Sequence, residues 1–167
     1  MDRDPRNPQG NENVARVLSR MTHGVYVLGA RRGRQSNAMT AAWAMQTSER
    51  PPMLAVAVRD DRYTRNMILE SGTFSLSILR DDQVNAATYF SETSGEYHDK
   101  LAGVPYGLTE GGSPFLLDCL GYLDCRVRDT ARAGDHTIIV GEVTSADLLL
   151  DDLPLVYDAS EYEEALR

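Results

Sequence analysis

The sequence predicts a mainly β protein, with about six strands and a few short helices in the style of an antiparallel barrel. Three observations carry this reading. Runs rich in β-branched and aromatic residues recur at strand length along most of the chain. They do not alternate regularly with long helical patterns, which argues against a doubly wound parallel sheet. The 167 residues, 42% hydrophobic and 25% charged, fit one soluble domain that can bury a core without disulfides or metals.

Residues Met1 to Asn11 are rich in Pro, Asp, Arg, Asn and Gly and have the composition of a disordered tail, which leaves residues 12–167 as the folded domain. Val14, Val17, Leu18 and Met21 recur at helical spacing and predict a short amphipathic helix from Glu12. GVYVLGA (Gly24 to Ala30) is the first strand, and RRGR supplies a turn in which Gly33 can take positive φ. SNAMTAAWAMQTSERPP predicts a second strand with an irregular exit. MLAVAV (Met53 to Val58) is a third, apolar enough to be buried on both faces.

Tyr63 to Glu70 predicts a helix ended by Ser71-Gly72. In TFSLSIL the apolar and hydroxyl residues alternate, as in a half-buried strand. Asp81 to Phe90 predicts a helix with Asp81 or Asp82 as N-cap. Ser91 to Pro114 is a long polar connection, a length that is unusual unless functional or disordered. Two last strands follow, Cys119 to Arg128 and His136 to Leu148, and DASEYEEALR has the pattern of a short acidic helix.

Lys+Arg 17 against Asp+Glu 25 gives a net charge of −8, which argues against a nucleic-acid or anionic-membrane partner but allows a local basic pocket for a phosphorylated ligand. The N-terminus lacks the apolar core of a signal peptide and no apolar run is long enough to span a bilayer, so a cytoplasmic protein is expected. Cys119 and Cys125 are too few for a disulfide framework and have no zinc spacing. They are expected as buried thiols on one strand face. His23, His98 and His136 show no metal-ligand spacing either, so no metal site is expected. Dinucleotide, phosphate-loop and nucleophile-elbow signatures are absent.

Three polar segments remain at strand ends and turns. Ser36-Asn37-Ala38-Met39-Thr40 can lie along a flat heteroaromatic ring and offer N–H and C=O groups to its edge. Thr47-Ser48, before Pro51-Pro52, can hold a phosphate at a bend. Arg59, Arg62, Tyr63, Thr64 and Arg65 lie where a helix begins, and a helix N-terminus beside arginine is a ready anion site. Taken singly they also read as a turn, a strand exit and a helix cap.

The chain resembles the flavin reductase family, the FMN-binding split-barrel proteins that include the reductase components of two-component monooxygenases. The resemblance runs from about Gly24 to Leu155. It is carried in order by GVYVLGARRGRQSNAMTAAW, TSERPPMLAVAV, RYTRNMILESGTFSLSIL and AGDHTIIVGEV, the last being the most specific. It implies a six-stranded Greek-key split barrel and a homodimer with flavin near the subunit interface. It also implies reduction of FMN, or FAD, by NADH or NADPH, with reduced flavin or electrons passing to a monooxygenase or other acceptor protein. An alternative is an FMN-binding electron-transfer module without direct nicotinamide oxidation. A flavin-free structural dimer is a third reading.

By the same resemblance Asn37 to Thr40 line the flavin ring, Thr47, Ser48 and Arg59 to Arg65 hold the phosphate, and His136 stands near the nicotinamide as the catalytic residue. Asp135 either orients the imidazole or fixes the turn. Lys100 is a candidate flavin or partner contact, against a solvated loop position for it and His98. Trp43 and Met45 are assigned to core or dimer packing. Arg31, Arg32 and Arg34 are assigned to a solvated hairpin tip, with a contact to an NADPH phosphate as the alternative. Leu101, Ser77 and the acidic C-terminus depart from the family pattern.

Overall fold

The structure, a computed structural model, describes residues 8–92 and 99–157. The acidic C-terminal helix, His98 and most of the expected tail fall outside these residues. Helix α1 (Pro8–Leu18) begins before Glu12, so residues 8–11 belong to a helix and not to the tail. β1 (Tyr26–Arg32) and β2 (Gln35–Ala41) form a hairpin around Gly33, whose φ is 60°. β3 (Ala44–Glu49), β4 (Pro52–Arg59), α2 (Tyr63–Ser71), β5 (Thr73–Ile78) and α3 (Val84–Ser91) follow. A small hairpin, β6 (Tyr106–Leu108) and β7 (Pro114–Leu116), precedes the long pair β8 (Gly121–Ala133) and β9 (His136–Leu148).

Seven strands form one antiparallel sheet in the order β2-β1-β5-β8-β9-β4-β3, so the class is mainly β as expected. The count is seven rather than six because the second expected strand is two. β2 stops at Ala41, the chain crosses through Ala42 and Trp43, and β3 then pairs with β4. Both halves have strand composition, so only the change of hydrogen-bonding partner separates them. β2 and β3, at the two ends of the order, do not pair with each other.

One core cluster draws on β1, β2, β4, β5, β8 and β9 together, including Leu28, Met39, Val56, Phe74 and Ile139, so the sheet curls around a common interior. Met67 and Ile68 of α2 close that interior. α2 ends where expected, at Gly72, whose φ of 73° and N–H bond to the Ile68 carbonyl make a left-handed C-cap. α3 covers the opposite face of β1 and β2, where Val27, Ala38, Ala87, Phe90 and Leu101 form a second cluster. The α3 N-cap is Gln83, not Asp81 or Asp82. Gln83 binds across to the Asp118 carbonyl, a tertiary contact that local composition does not encode.

β5 is buried on both faces rather than one. The β7 segment lies over its hydroxyl face: Ser75 donates to the Pro114 carbonyl and Ser77 accepts from the Leu116 N–H. The same close approach passes over Gly29, where any added Cβ would lie 1.9 Å from the Pro114 oxygen. β4 departs in the other sense. Leu54, Val56 and Val58 face the core, while Ala55 and Ala57 stand on a half-open outer face. The two cysteines do not share a face: Cys125 sits in the first cluster and Cys119, ahead of β8, in the second. Burial pushes the Cys125 thiol up to about 12, so it is an inert core residue. No helix among the described residues is long and apolar enough to cross a membrane, and no group of His, Cys, Asp or Glu among them could hold a metal ion.

Candidate functional site

The β8–β9 turn places His136. Gly134, at φ 65°, lets the chain reverse, and His136 opens β9 directly opposite Arg59 at the end of β4. The Asp135 carboxylate lies 2.8 Å from His136 Nδ1. That hydrogen bond is the main reason the Asp135 carboxyl is held below its ordinary range. With Nδ1 so engaged, Nε2 is the edge available to a ligand. The Trp43 ring stacks against the imidazole, with centroids 4.8 Å apart and planes tilted by 35°.

The β4–α2 connection is tied to the same turn. The Asp60 N–H donates to the Asp135 carbonyl at 3.0 Å. Arg65 donates to Thr137 Oγ1 at 2.9 Å, and Thr137 donates to Asp60 Oδ1 at 2.6 Å. Arg59 pairs with Asp61. Arg65 Nε also lies 3.2 Å from Asp60 Oδ1, so Arg59 and Arg65 are both paired with carboxylates and serve first to pin the loop against β9. Tyr63 is committed elsewhere: its hydroxyl accepts from Arg32 at 2.7 Å and donates to Gln35 at 2.9 Å. Arg32 also pairs with Glu70. It is thus part of a network on α2, not of a solvated tip, and Arg31 is half-buried with an Nε that has no partner among the described residues.

The N-terminus of α2 has no side-chain cap and no acidic residue in its first turn, and Thr64 is buried there. Lys100 lies within electrostatic reach of Arg62 at this end. It is 2% exposed, not a solvated loop residue, and its ammonium donates to the carbonyls of Phe90, at 3.0 Å, and Glu92 at the end of α3. Burial first, and the positive charge of Arg62 second, push its pKa down to about 8. Two cations near one uncapped helix N-terminus make a place where an anion is stabilised.

On β2, Ser36 and Thr40 share one face with Ala38, and Thr40 binds the Ala87 carbonyl of α3 at 2.5 Å. Asn37 and Met39 face the other way and are buried. Asn37 Oδ1 accepts from the Ala38 N–H at 2.8 Å, while its Nδ2 is buried with no partner among the described residues. A buried amide donor left unpaired costs about 1–3 kcal/mol, so this group calls for an acceptor.

Thr47 and Ser48 are not brought to this cluster. Ser48 lies opposite Met53 near the start of β4. Arg59 is six strand residues further on, roughly 20 Å at about 3.3 Å per residue. Within one chain the two expected phosphate segments cannot grip the same phosphate. Sequence order placed them side by side because they flank β4, and the strand holds them at its two ends.

Trp43, expected in core or dimer packing, also meets His136. Its even spacing from Met45 gives packing, but the break between β2 and β3 redirects it. The Trp43 carbonyl accepts from Ala57 N–H at 2.9 Å, which hangs the residue on β4 beside His136. Its one available signal was a large aromatic just where strand composition becomes small and polar.

A sequence model described as "Flavin reductase like domain" matches residues 18–166. The chain belongs to the flavin reductase family. Its structure is similar to the NADH:FAD oxidoreductase SgcE6 of Streptomyces globisporus C-1027, with a TM-score of 0.82, 25% identity and 95% of each chain covered. A second structure of that protein is a complex with NAD and FAD fragments. Flavoredoxin from Methanosarcina acetivorans aligns at a TM-score of 0.71 and 30% identity, over 76% of this chain and 69% of that one. In sequence, a high molecular weight rubredoxin of Moorella thermoacetica is 35% identical over 85% of this chain. This flavin reductase domain spans 63% of that relative's length.

Proposed function

We propose that this domain is an NAD(P)H:flavin oxidoreductase that moves a hydride from NADH or NADPH to FMN, or FAD, and passes reduced flavin or electrons to an acceptor protein such as a monooxygenase. The observation that carries the reading is the histidine held at its Nδ1 beside the start of α2, supported by the Arg62–Lys100 cations and by a buried Asn37 amide with no partner among the described residues. The similar NADH:FAD oxidoreductase, bound to NAD and FAD fragments, supports the same chemistry.

The residues present fit a flavin. A flavin ring presents carbonyl and ring-nitrogen acceptors, and the buried Asn37 Nδ2 has none among the described residues. Its phosphate is the anion that Arg62, Lys100 and the first turn of α2 would hold. When bound, the flavin supplies hydride acceptance, and the protein supplies alignment and electrostatics. Ser36, Ala38, Met39 and Thr40 form the strand beside the ring. His136 directs Nε2 toward the nicotinamide or flavin edge, while Asp135 fixes the tautomer.

The domain, residues 12–167, would work as the family's split barrel and as a homodimer in the cytoplasm. Support for the dimer comes from a groove of about 570 Å³ lined by Leu18, Met21, Trp43, Met45, Ala57 and Ile138. Such an exposed apolar face suits a second copy, and light scattering that gives only monomer would remove it. The cytoplasmic assignment is supported by two free thiols.

A second reading, an FMN-binding electron-transfer module, is favoured by the likeness to flavoredoxin and to a rubredoxin. Anaerobic mixing of FMN-loaded protein with each nicotinamide separates the two. Rapid bleaching of the flavin is expected, whereas retained FMN without bleaching supports the module.

FMN affinity should depend on pH through Lys100. Its ammonium, protonated below about 8, attracts the phosphate. Binding an anion favours the protonated form, so affinity falls as pH rises through that value. Lys100→Met is expected to weaken FMN binding at pH 7 by about tenfold, one charge-assisted contact, and to flatten the profile between pH 7 and 9. Parallel profiles for the two proteins would remove Lys100 from the anion site.

A further inference from the structure

We propose that Trp43 is a positioning residue, acting through His136 in the flavin-reducing reaction proposed above and resting on that reading. The Asp135 carboxylate holds the imidazole at one corner, Nδ1, and its side chain is 84% exposed. One hydrogen bond open to water leaves the ring free to rock, and the bond itself is weak in that setting. Trp43 supplies the missing constraint. At 4.8 Å between centroids it lies in the range of a true aromatic pair and fixes the plane of the ring. The imidazole side chain is left 16% exposed.

Trp43 and His136 are referred to one rigid element. The Trp43 carbonyl is bonded to Ala57 of β4, and His136 pairs with Arg59 two residues along the same strand. The backbone spacing of the two residues is therefore set by β4, which the core side chains Val56 and Val58 hold in place, and the ring contact itself restrains the side-chain torsions. The indole does little for stability in return. It is 54% exposed and belongs to neither core cluster. The outer surface of Trp43 lines the apolar groove assigned above to a second copy, and the face turned to His136 constrains the imidazole.

The test is a double-mutant cycle read in two ways. Single-turnover reduction of FMN-loaded protein by NADH is measured for wild type, Trp43→Ala, His136→Ala and the double variant, with Trp43→Phe as the conservative replacement. Loss of the stack should slow reduction about tenfold, the cost of a modest misalignment. FMN affinity should stay within about twofold. Trp43→Phe should recover most of the rate, and the double variant should be no slower than His136→Ala, because contacting residues are non-additive. The second readout needs no activity: Trp43 is the sole tryptophan in the chain. Its emission should therefore change when His136 is replaced, with or without flavin. Multiplicative rate losses in an active protein, or emission unmoved by His136→Ala, would overturn the inference alone. A wild type that oxidises neither nicotinamide overturns the functional reading and the inference with it.

Discussion

His136→Ala is expected to slow flavin reduction by NADH or NADPH about 100-fold, while FMN affinity changes less than about threefold. The size follows from alignment: misplacing one reactant by about 1 Å can cost on the order of 100-fold in rate. The separation of rate from affinity follows from the geometry. His136 stands at the β8–β9 turn with Nδ1 on Asp135 and one face under Trp43, and neither contact involves Lys100, Arg62 or Asn37, which would carry the flavin. Stability should be nearly unchanged, since the imidazole belongs to neither core cluster. Stopped-flow reduction of FMN-loaded protein under anaerobic conditions gives the rate, and fluorescence titration gives the affinity. Unchanged reduction kinetics would take His136 out of the reaction. A matched loss of rate and affinity would make it a flavin ligand rather than a nicotinamide-positioning group.

The largest effect on stability is expected at Phe74. The side chain is fully buried, and its ring lies over Gly141, where an added Cβ would sit 2.6 Å from the ring edge. Gly141 on β9 and Phe74 on β5 are separated by β8, so the ring spans the sheet's interior and fills the gap that glycine leaves. Phe74→Ala removes the ring and cannot be repacked from a position that has no side chain. A loss of about 3–5 kcal/mol is expected, a large fraction of the roughly 5–15 kcal/mol that holds a domain folded. For a domain of this size it corresponds to a melting temperature lower by about 6–20 °C. Thermal and urea unfolding measure it directly. A loss below about 1 kcal/mol would mean that the interior tolerates the void and that Phe74 is not central to it.

These two residues differ in how visible they were in the sequence. Phe74 alternates with Leu76 and Ile78 in TFSLSIL, so its inward face was legible from period alone. That Ser75 and Ser77 are also buried was not, because the covering hairpin arrives from about 40 residues later in the chain. His136 was legible as a residue, through AGDHTIIVGEV and its resemblance to the flavin reductases. Its ring partner was not, since Trp43 and His136 lie far apart in sequence and meet only because β4 runs between β3 and β9. Lys100 illustrates the same limit: a lysine in a polar stretch has the composition of solvent, and only the end of α3 shows why it is buried.

The sequence by itself determined where most strands of the large sheet lie, that the sheet is antiparallel, and which polar segments could meet a flat heteroaromatic ring or a phosphate. These follow from periodicity, turn chemistry and local motif, all of which act over a few neighbouring residues. The tertiary structure decided where those segments stand. It separated Thr47 and Ser48 from Arg59 by the length of β4, drew Lys100 to Arg62, committed Tyr63 to Arg32, and set Trp43 on His136. Strand pairing joins residues across long stretches of chain. Its register fixes distances that no local pattern encodes, because an extended strand carries its two ends apart by about 3.3 Å for every residue.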